Sequence, residues 1–259
     1  SAYETAIDFK KNGINPIVID IRENSESSVI KEAKNLKIDI RFSHAIANTR
    51  GHLRVNSATI GKLNEQKTNY QSLEDISCDC ICVSGNWTPT VHLASQSGNK
   101  LKFDENINAF IPNQSRQNET TVGSAKGSFT LKKSLEEGFN KGFELSNKIT
   151  KKNIKSAIPT SNERSNGKQN KFWCMPLPKN KNYKRCVDFQ NDVYVSDIEL
   201  AIREGFRSIE HVKRYTTLGM ATDQGKTSNL NGLQLVSNIE NKIVPEVGHT
   251  TFRPPYTPV

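Results

Sequence analysis

The chain has 259 residues, 34% of them hydrophobic, a net charge of +9 and five cysteines. That is enough for one large domain or two modest ones, with too little apolar residue for a core along the whole length. No run of about 18 apolar residues occurs, so no transmembrane helix is expected.

The charge is unevenly placed. Between Ser146 and Arg185 stand nine Lys, two Arg and one Glu, a local +10, which leaves the remainder near −1. This Asn/Lys/Ser-rich stretch carries few aromatics, Phe172, Trp173 and Tyr183, all near its end, so it reads as a solvated linker rather than a nucleic-acid or membrane surface. Cysteines number an odd five with no secretion signal in view, which argues against a disulfide framework and for a reducing, cytoplasmic setting.

The chain opens in what reads as the middle of a helix, so a missing N-terminal segment is expected. Residues 3 to 12 predict an amphipathic helix closed by Gly13. Asn15 to Asp20 is an apolar run typical of a buried parallel strand, ending in Asp20 and Arg22. A helix over 26–36 and a strand over 38–42 follow. His44 to Ile60 alternates like a hairpin with Arg50-Gly-His52 at its turn. This order is half of a doubly wound unit whose glycine loop would lie upstream.

Ile76 to Val83 predicts an apolar strand ending at Gly85, with Cys78, Cys80 and Cys82 sharing one buried face. Phe110 and Ile111 predict a short strand stopped by Pro112. Thr121 to Thr130 is a small-residue segment before a helix over 130–147. Beyond the lysine-rich stretch, Ser196 and Ser208 predict caps of two helices, ending near Glu204 and Leu218. A third helix runs from Asn229 to about Glu240. The three-proline tail should be extended and looks cut short.

Three constellations carry chemistry. Ser84-Gly85, with Gly123-Ser124-Ala125, has the small residues that let a backbone approach a dinucleotide. Ser124 stands where an acidic residue would favour a flavin, which leaves room for another dinucleotide. Gly219 to Ser228 ends in Gly225-Lys-Thr-Ser, but Met220 stands where a P-loop needs glycine. What remains is a polar loop entering a helix, either an anion cradle or ordinary capping. Finally, Val187 to Val193, two helices and the Gly219 loop have the layout of a bacterioferritin-associated-ferredoxin-like 2Fe–2S module. The matching ligand positions are Asp188, Gln190, Asp223 and Ser228, none a thiol, so no cluster is expected. His44, His52, His92, His211 and His249 show no ligand spacing.

Together these segments resemble the α subunit of heterotetrameric sarcosine oxidase. The residues that carry the likeness are Ser1-Ala-Tyr3, Ser84 to Ser97, Val187 to Val193, Glu204 to Asn229 and Pro245 to Pro258. It covers nearly the whole chain except about 145 to 185.

The resemblance implies an α/β fold. A partial two-dinucleotide-binding region (Rossmann-like, pyridine nucleotide-disulfide reductase type) would precede a small all-α, cluster-less ferredoxin-like module. Expected boundaries are 1–75 for part of the second Rossmann-like domain and 76–147 for the return segment of the first. A Lys-rich linker would span 148–185, the helical module 186–243, and an extended linker to a missing folate-binding domain 244–259.

It also implies NAD beside Gly85, Trp87, Gly123 and Ala125. FMN at the α/β interface would face Arg214, Thr216, Thr217, Gln224, Lys226, Thr227 and Ser228. The partner β subunit would hold FAD, the absent folate domain would bind tetrahydrofolate, and β, γ and δ subunits would be the partners. The implied reaction is oxidative demethylation of sarcosine to glycine with O2. It yields H2O2 and either formaldehyde or methylene-tetrahydrofolate, with no amine-oxidising base on this chain. Rival readings are an opine or glycine (cyanide-synthase-like) dehydrogenase α subunit, which would keep the cluster cysteines, and a basic nucleic-acid-binding protein using residues 146–185.

Overall fold

A computed structural model describes residues 2–85, 87–151, 157–162, 172–179 and 181–253. It is a mixed α/β structure that divides into two units. One comprises Ser1–Gly85 and Phe172–Arg185, the other Asn86–Lys171 and Cys186–Val259.

In the first unit, helix α1 (Ala2–Lys11) leads into strand β1 (Ile17–Asp20), helix α2 (Ser28–Asn35) and strand β2 (Asp39–Phe42). β1 and β2 pair in parallel, Ile17 opposite Asp39 and Asp20 opposite Phe42. The helices form where the pattern places them. Gly13 takes φ +82° after α1, and the Ser27 hydroxyl accepts from the Ile30 N–H at 3.3 Å to cap α2. Tyr3, Ile7, Val18, Ile30, Ala33 and Ile38 close the core between helices and strands.

At the end of β1 the Tyr3 hydroxyl donates to Asp20 at 2.6 Å. The Arg22 guanidinium clasps the same carboxylate at 2.7 Å. The predicted hairpin is present as β3 (His44–Gly51) and β4 (Val55–Leu63), and a third antiparallel strand, β5 (Tyr70–Ser77), completes the sheet.

The expected cysteine strand is not there. β5 ends at Ser77, and residues 78–85 and 87–91 have no regular structure. Cys80 and Cys82 are exposed and no disulfide joins the five cysteines. The hydrophobic run misled because β5 is laid down by polar residues, Tyr70 to Ser77, that pair with β4. Cross-strand pairing overrode local propensity.

In the second unit, helix α3 (His92–Gln96) precedes the ribbon of β6 (Lys100–Asp104) and β7 (Ala109–Gln114). Pro112 does not stop β7; it sits opposite Leu101 beside a register shift, where a residue without an N–H is tolerated. Gly123–Lys126 is a single 3-10 turn, and helix α4 (Leu131–Thr150) starts only after Thr130, whose hydroxyl caps it. Residues 152–156, 163–171 and 180 of the expected lysine-rich linker lie outside the described residues, as do residues 254–259 of the tail.

Strands β8 (Cys186–Asp188) and β9 (Val193–Tyr194) form a small antiparallel hairpin. Helix α5 (Val195–Arg203) follows, then α6 (Ile209–Thr216), α7 (Asn229–Ile239) and α8 (Val244–Val247). Ser196 is inside α5; the cap is Tyr194, whose N–H donates to Asp197 at 2.8 Å. Ser208 occupies the expected cap of α6, and Gly205 takes φ +96° after α5. Ile198, Ala201, Val212, Leu218 and Val236, all fully buried, pack α5, α6 and α7 together. Among the described residues no helix is long and apolar enough to cross a membrane.

Candidate functional site

The loop from Thr217 to Ser228 leaves α6 and enters α7 under the control of two buried carboxylates. Asp188, 2% exposed, sits at the end of β8. Its Oδ2 accepts from the Gly219 N–H at 2.7 Å and the Ser228 hydroxyl at 3.2 Å, and its Oδ1 accepts from the Gln190 N–H at 2.9 Å. Asp223 holds the other end of the loop. Its Oδ1 accepts from the Gly225 N–H at 2.9 Å, and its Oδ2 accepts from the Thr227 hydroxyl at 2.6 Å and the Thr227 N–H at 3.1 Å.

Burial alone would raise the Asp223 pKa. The Thr227 hydroxyl, the two N–H donors and Lys226 outweigh it and leave the group below the usual carboxylate range. Gln190 Oε1 accepts from the Asp223 N–H at 3.3 Å and the Thr222 hydroxyl at 3.2 Å. The four positions that match cluster ligands, Asp188, Gln190, Asp223 and Ser228, are thus gathered into one hydrogen-bonded group. Among the described residues no group of three or more His, Cys, Asp and Glu has the geometry to hold a metal ion.

Two glycines are required inside this loop. Gly219 and Gly225 have φ of +64° and +74°. A Cβ at either would meet the Asn229 side chain, at 2.1 Å and 2.2 Å respectively. Asn229, at the first position of α7, therefore fills the space the glycines leave.

The loop borders two hollows in the same unit. The first, ≈ 120 Å³, is lined by Glu210, Lys213, Arg214, Gly219, Met220, Gln224 and Arg253. Three cations meet there with one carboxylate. Glu210 is shared between Arg214, at 3.6 Å, and the Thr251 N–H, at 3.2 Å. Lys213 is buried, and burial lowers its pKa. Glu210 opposes that shift, while Arg253 and Arg214 add to it. An anion placed in this hollow would relieve the mutual repulsion of the cations. The second hollow, ≈ 50 Å³, is lined by aromatic and aliphatic side chains together with His92, Lys226 and Asn229.

The residues expected to face FMN divide between these places. Arg214 and Gln224 line the cationic hollow. Lys226 lines the second. Thr216 donates to the Val212 carbonyl at 2.8 Å, and Thr217 donates to the Thr216 carbonyl. The Thr227 and Ser228 hydroxyls turn inward to Asp223 and Asp188. Lys213 and Arg253 were not singled out from sequence, although the Lys213-Arg214 pair in the last turn of α6 was a readable signal. His92 and Asn229 gave none.

The residues expected beside NAD are scattered differently. Gly85 ends the first unit in open space. Trp87 is 74% exposed. Gly123 is buried with φ +66°, and its N–H already donates to the Glu137 carboxylate at 2.9 Å. Ser128 donates to the same group at 2.7 Å. A carboxylate thus occupies the place a pyrophosphate would take at this turn, and Gly123 and Ala125 do not fit NAD there.

Residues 182–259 match the family model of the sarcosine oxidase A3 domain. The chain is 37% identical over 187 residues to the sarcosine oxidase subunit alpha of Rhizobium meliloti (strain 1021), covering 72% of this chain and 19% of that protein. It is 31% identical over 268 residues to the subunit of the same name from Corynebacterium sp. (strain U-96), covering 100% of this chain and 27% of the relative. The chain therefore spans roughly a quarter or less of these relatives. Among solved structures, L-proline dehydrogenase from P. horikoshii matches with a TM-score of 0.60 over 95% of this chain and 49% of that one. Its 17% identity makes that a likeness of fold alone. Nearly the full length aligned at 31% identity, together with the A3-domain match over the site just described, makes the chain homologous to part of the sarcosine oxidase α subunit.

Proposed function

We propose that this part of a sarcosine oxidase α-like subunit helps to hold FMN at a contact with a β subunit, and takes no direct part in amine oxidation. The observation that carries the reading is the convergence of Lys213, Arg214 and Arg253 on one hollow beside Gly219 and Gln224. The hollow fits the phosphate end of a flavin nucleotide: a dianion there meets two guanidinium groups and a buried ammonium. Lys226, one turn further on, adds positive charge at the rim of the loop. Asp188 and Asp223 contribute by fixing the loop, since with both carboxylates satisfied its shape exists before any ligand arrives. Bound FMN would relay electrons to O2, giving H2O2.

In the assembled enzyme the β subunit would hold FAD and oxidise sarcosine to glycine, with γ and δ subunits completing a cytoplasmic heterotetramer. Tetrahydrofolate would bind a further α-subunit domain and receive the methylene group, which otherwise leaves as formaldehyde. NAD held by this chain would lie near Trp87 and not on the Gly123 turn.

The test compares FMN with riboflavin, which lacks the phosphate. Fluorescence titration of the 259-residue chain should show FMN bound at least about tenfold tighter, one charge-assisted hydrogen bond's worth. Substituting Arg214→Ala with Arg253→Ala should erase that difference. Equal binding of FMN and riboflavin by the unsubstituted chain overturns the reading.

A further inference from the structure

The run that follows β5 carries a pair of thiols outside either hollow. Cys78 still extends the sheet, its N–H donating to the Asn56 carbonyl at 3.1 Å. Beyond it the chain has no regular structure as far as Gly85. In that segment the Cys80 and Cys82 sulfurs lie 3.9 Å apart, one thiol donating a hydrogen bond to the other, and both residues are exposed. Cys78, Cys174 and Cys186 are half-buried, and Cys174 takes a hydrogen bond from the Arg185 guanidinium at 3.1 Å.

Two uses of the pair fail. A structural zinc usually takes four donors, and among the described residues no group of three or more His, Cys, Asp and Glu is placed to hold a metal ion. A stabilising cross-link gains from closing a long loop, and only Ile81 separates these two cysteines. Reversible oxidation is what the geometry suits. The sulfurs have to close from 3.9 Å to about 2.05 Å to bond, and a segment outside any strand or helix is free to allow it. The Cys82 thiol, through its hydrogen bond, is the largest cause of a raised Cys80 pKa, so the two sulfurs already act on one another. A thiolate of higher pKa is also the stronger nucleophile once formed.

We propose that Cys80 and Cys82 are a modification site, a dithiol that hydrogen peroxide converts into a reversible intrachain disulfide. One thiol loses its proton, and the thiolate sulfur attacks a peroxide oxygen. The O–O bond breaks, the departing hydroxide takes up that proton as water, and the sulfur becomes a sulfenic acid. The second thiol then attacks this sulfur. An S–S bond forms, the S–O bond breaks, and the hydroxyl leaves with the second thiol's proton as another water. The dithiol gives up two electrons, and one peroxide is reduced to two waters. A disulfide closed through a single intervening residue is strained and exposed, hence of the labile kind that other thiols readily reduce. In a reducing compartment such a bond is transient, as a sensing site requires. The inference goes beyond the flavin reading and does not rest on it, because neither thiol lines the cationic hollow.

The experiment treats the fully reduced 259-residue chain with hydrogen peroxide, blocks remaining thiols by alkylation, and maps the peptides by mass spectrometry. The peptide holding Cys80 and Cys82 should lose two hydrogens and resist alkylation while Cys78 and Cys186 are still alkylated. Dithiothreitol should restore both thiols. Cys80→Ser and Cys82→Ser should each abolish the disulfide and leave a sulfenic acid on the remaining member of the pair, captured by dimedone. Full alkylation of Cys80 and Cys82 after another cysteine has been oxidised overturns the proposal. So does a disulfide that joins either of them to Cys78 or to a second chain, or oxygen addition at the pair with no disulfide. Those outcomes are read on the unsubstituted chain and decide the matter even where a variant fails to fold.

Discussion

The Ser228 hydroxyl donates to Asp188 across 40 residues of chain, at 3.2 Å and out of contact with water. The same carboxylate oxygen takes the Gly219 N–H, so one atom pins both ends of the loop that separates α6 from α7. Asp188→Asn would replace an acceptor of two donors by a group that must present its amide hydrogens to one side. The expected loss is about 1–3 kcal/mol, because a buried donor is left unsatisfied. Ser228→Ala should cost less, about 1 kcal/mol. Thermal unfolding of the two variants checks the order.

Gly225→Ala should destabilise through two separable effects. A φ of +74° costs an L residue about 1–2 kcal/mol, and the new Cβ would collide with Asn229. Pairing the change with Asn229→Ala should recover the collision part only. A double-mutant cycle in denaturant reads the difference. Full recovery or none would contradict the packing described.

Stability should fall in acid for reasons located in both units. Burial alone would raise the Asp20 pKa, but the Arg22 guanidinium, the Tyr3 hydroxyl and the Arg22 N–H together hold it below the usual carboxylate range. Asp223 is lowered in the same manner. A carboxylate depressed in the folded state contributes stability that is fully present above its unfolded value, near pH 4. That contribution fades as pH falls through the lower folded value. Asp20→Asn should therefore weaken the protein at neutral pH and flatten the decline below about pH 4. Denaturation midpoints from pH 7 to 3 test this.

Tyr70→Phe should be neutral or stabilise by up to about 1 kcal/mol, since the buried hydroxyl has no partner to lose. Burial, with Cys174 nearby and Arg185 opposing, pushes its pKa up to about 12. The ring itself matters: a Cβ at Gly61 would stand 2.3 Å from it, so Gly61→Ala should unfold the three-stranded sheet far more readily. Melting temperatures separate the two outcomes.

Much of the first unit was legible because its signals are local. Gly13, Ser27 and the apolar spacing of Ile17 to Ile40 each specify the element they sit in. The helical module was legible for the same reason, through Ser208, Gly205 and the apolar faces of α5 to α7. What escaped depended on partners distant in sequence. β5 exists because Tyr70 to Ser77 find β4, and the cysteine-rich run that looked more like a strand finds nothing. At the site, the loop glycines and Lys226 stood out, yet Lys213 and Arg253 converge only when the chain beyond α8 returns to α6. His92 and Asn229 border one hollow only in three dimensions.

The Asp188 anchor has a kinetic corollary. Its carboxylate is laid down in a three-residue strand, but two of its donors arrive only after α5 and α6 have been packed. Until then it must remain hydrated, so the 217–228 segment cannot close early and should be among the last parts to settle. Once closed, the amide of Gly219 should exchange its hydrogen with solvent only when the whole helical cluster opens, unlike an ordinary surface turn.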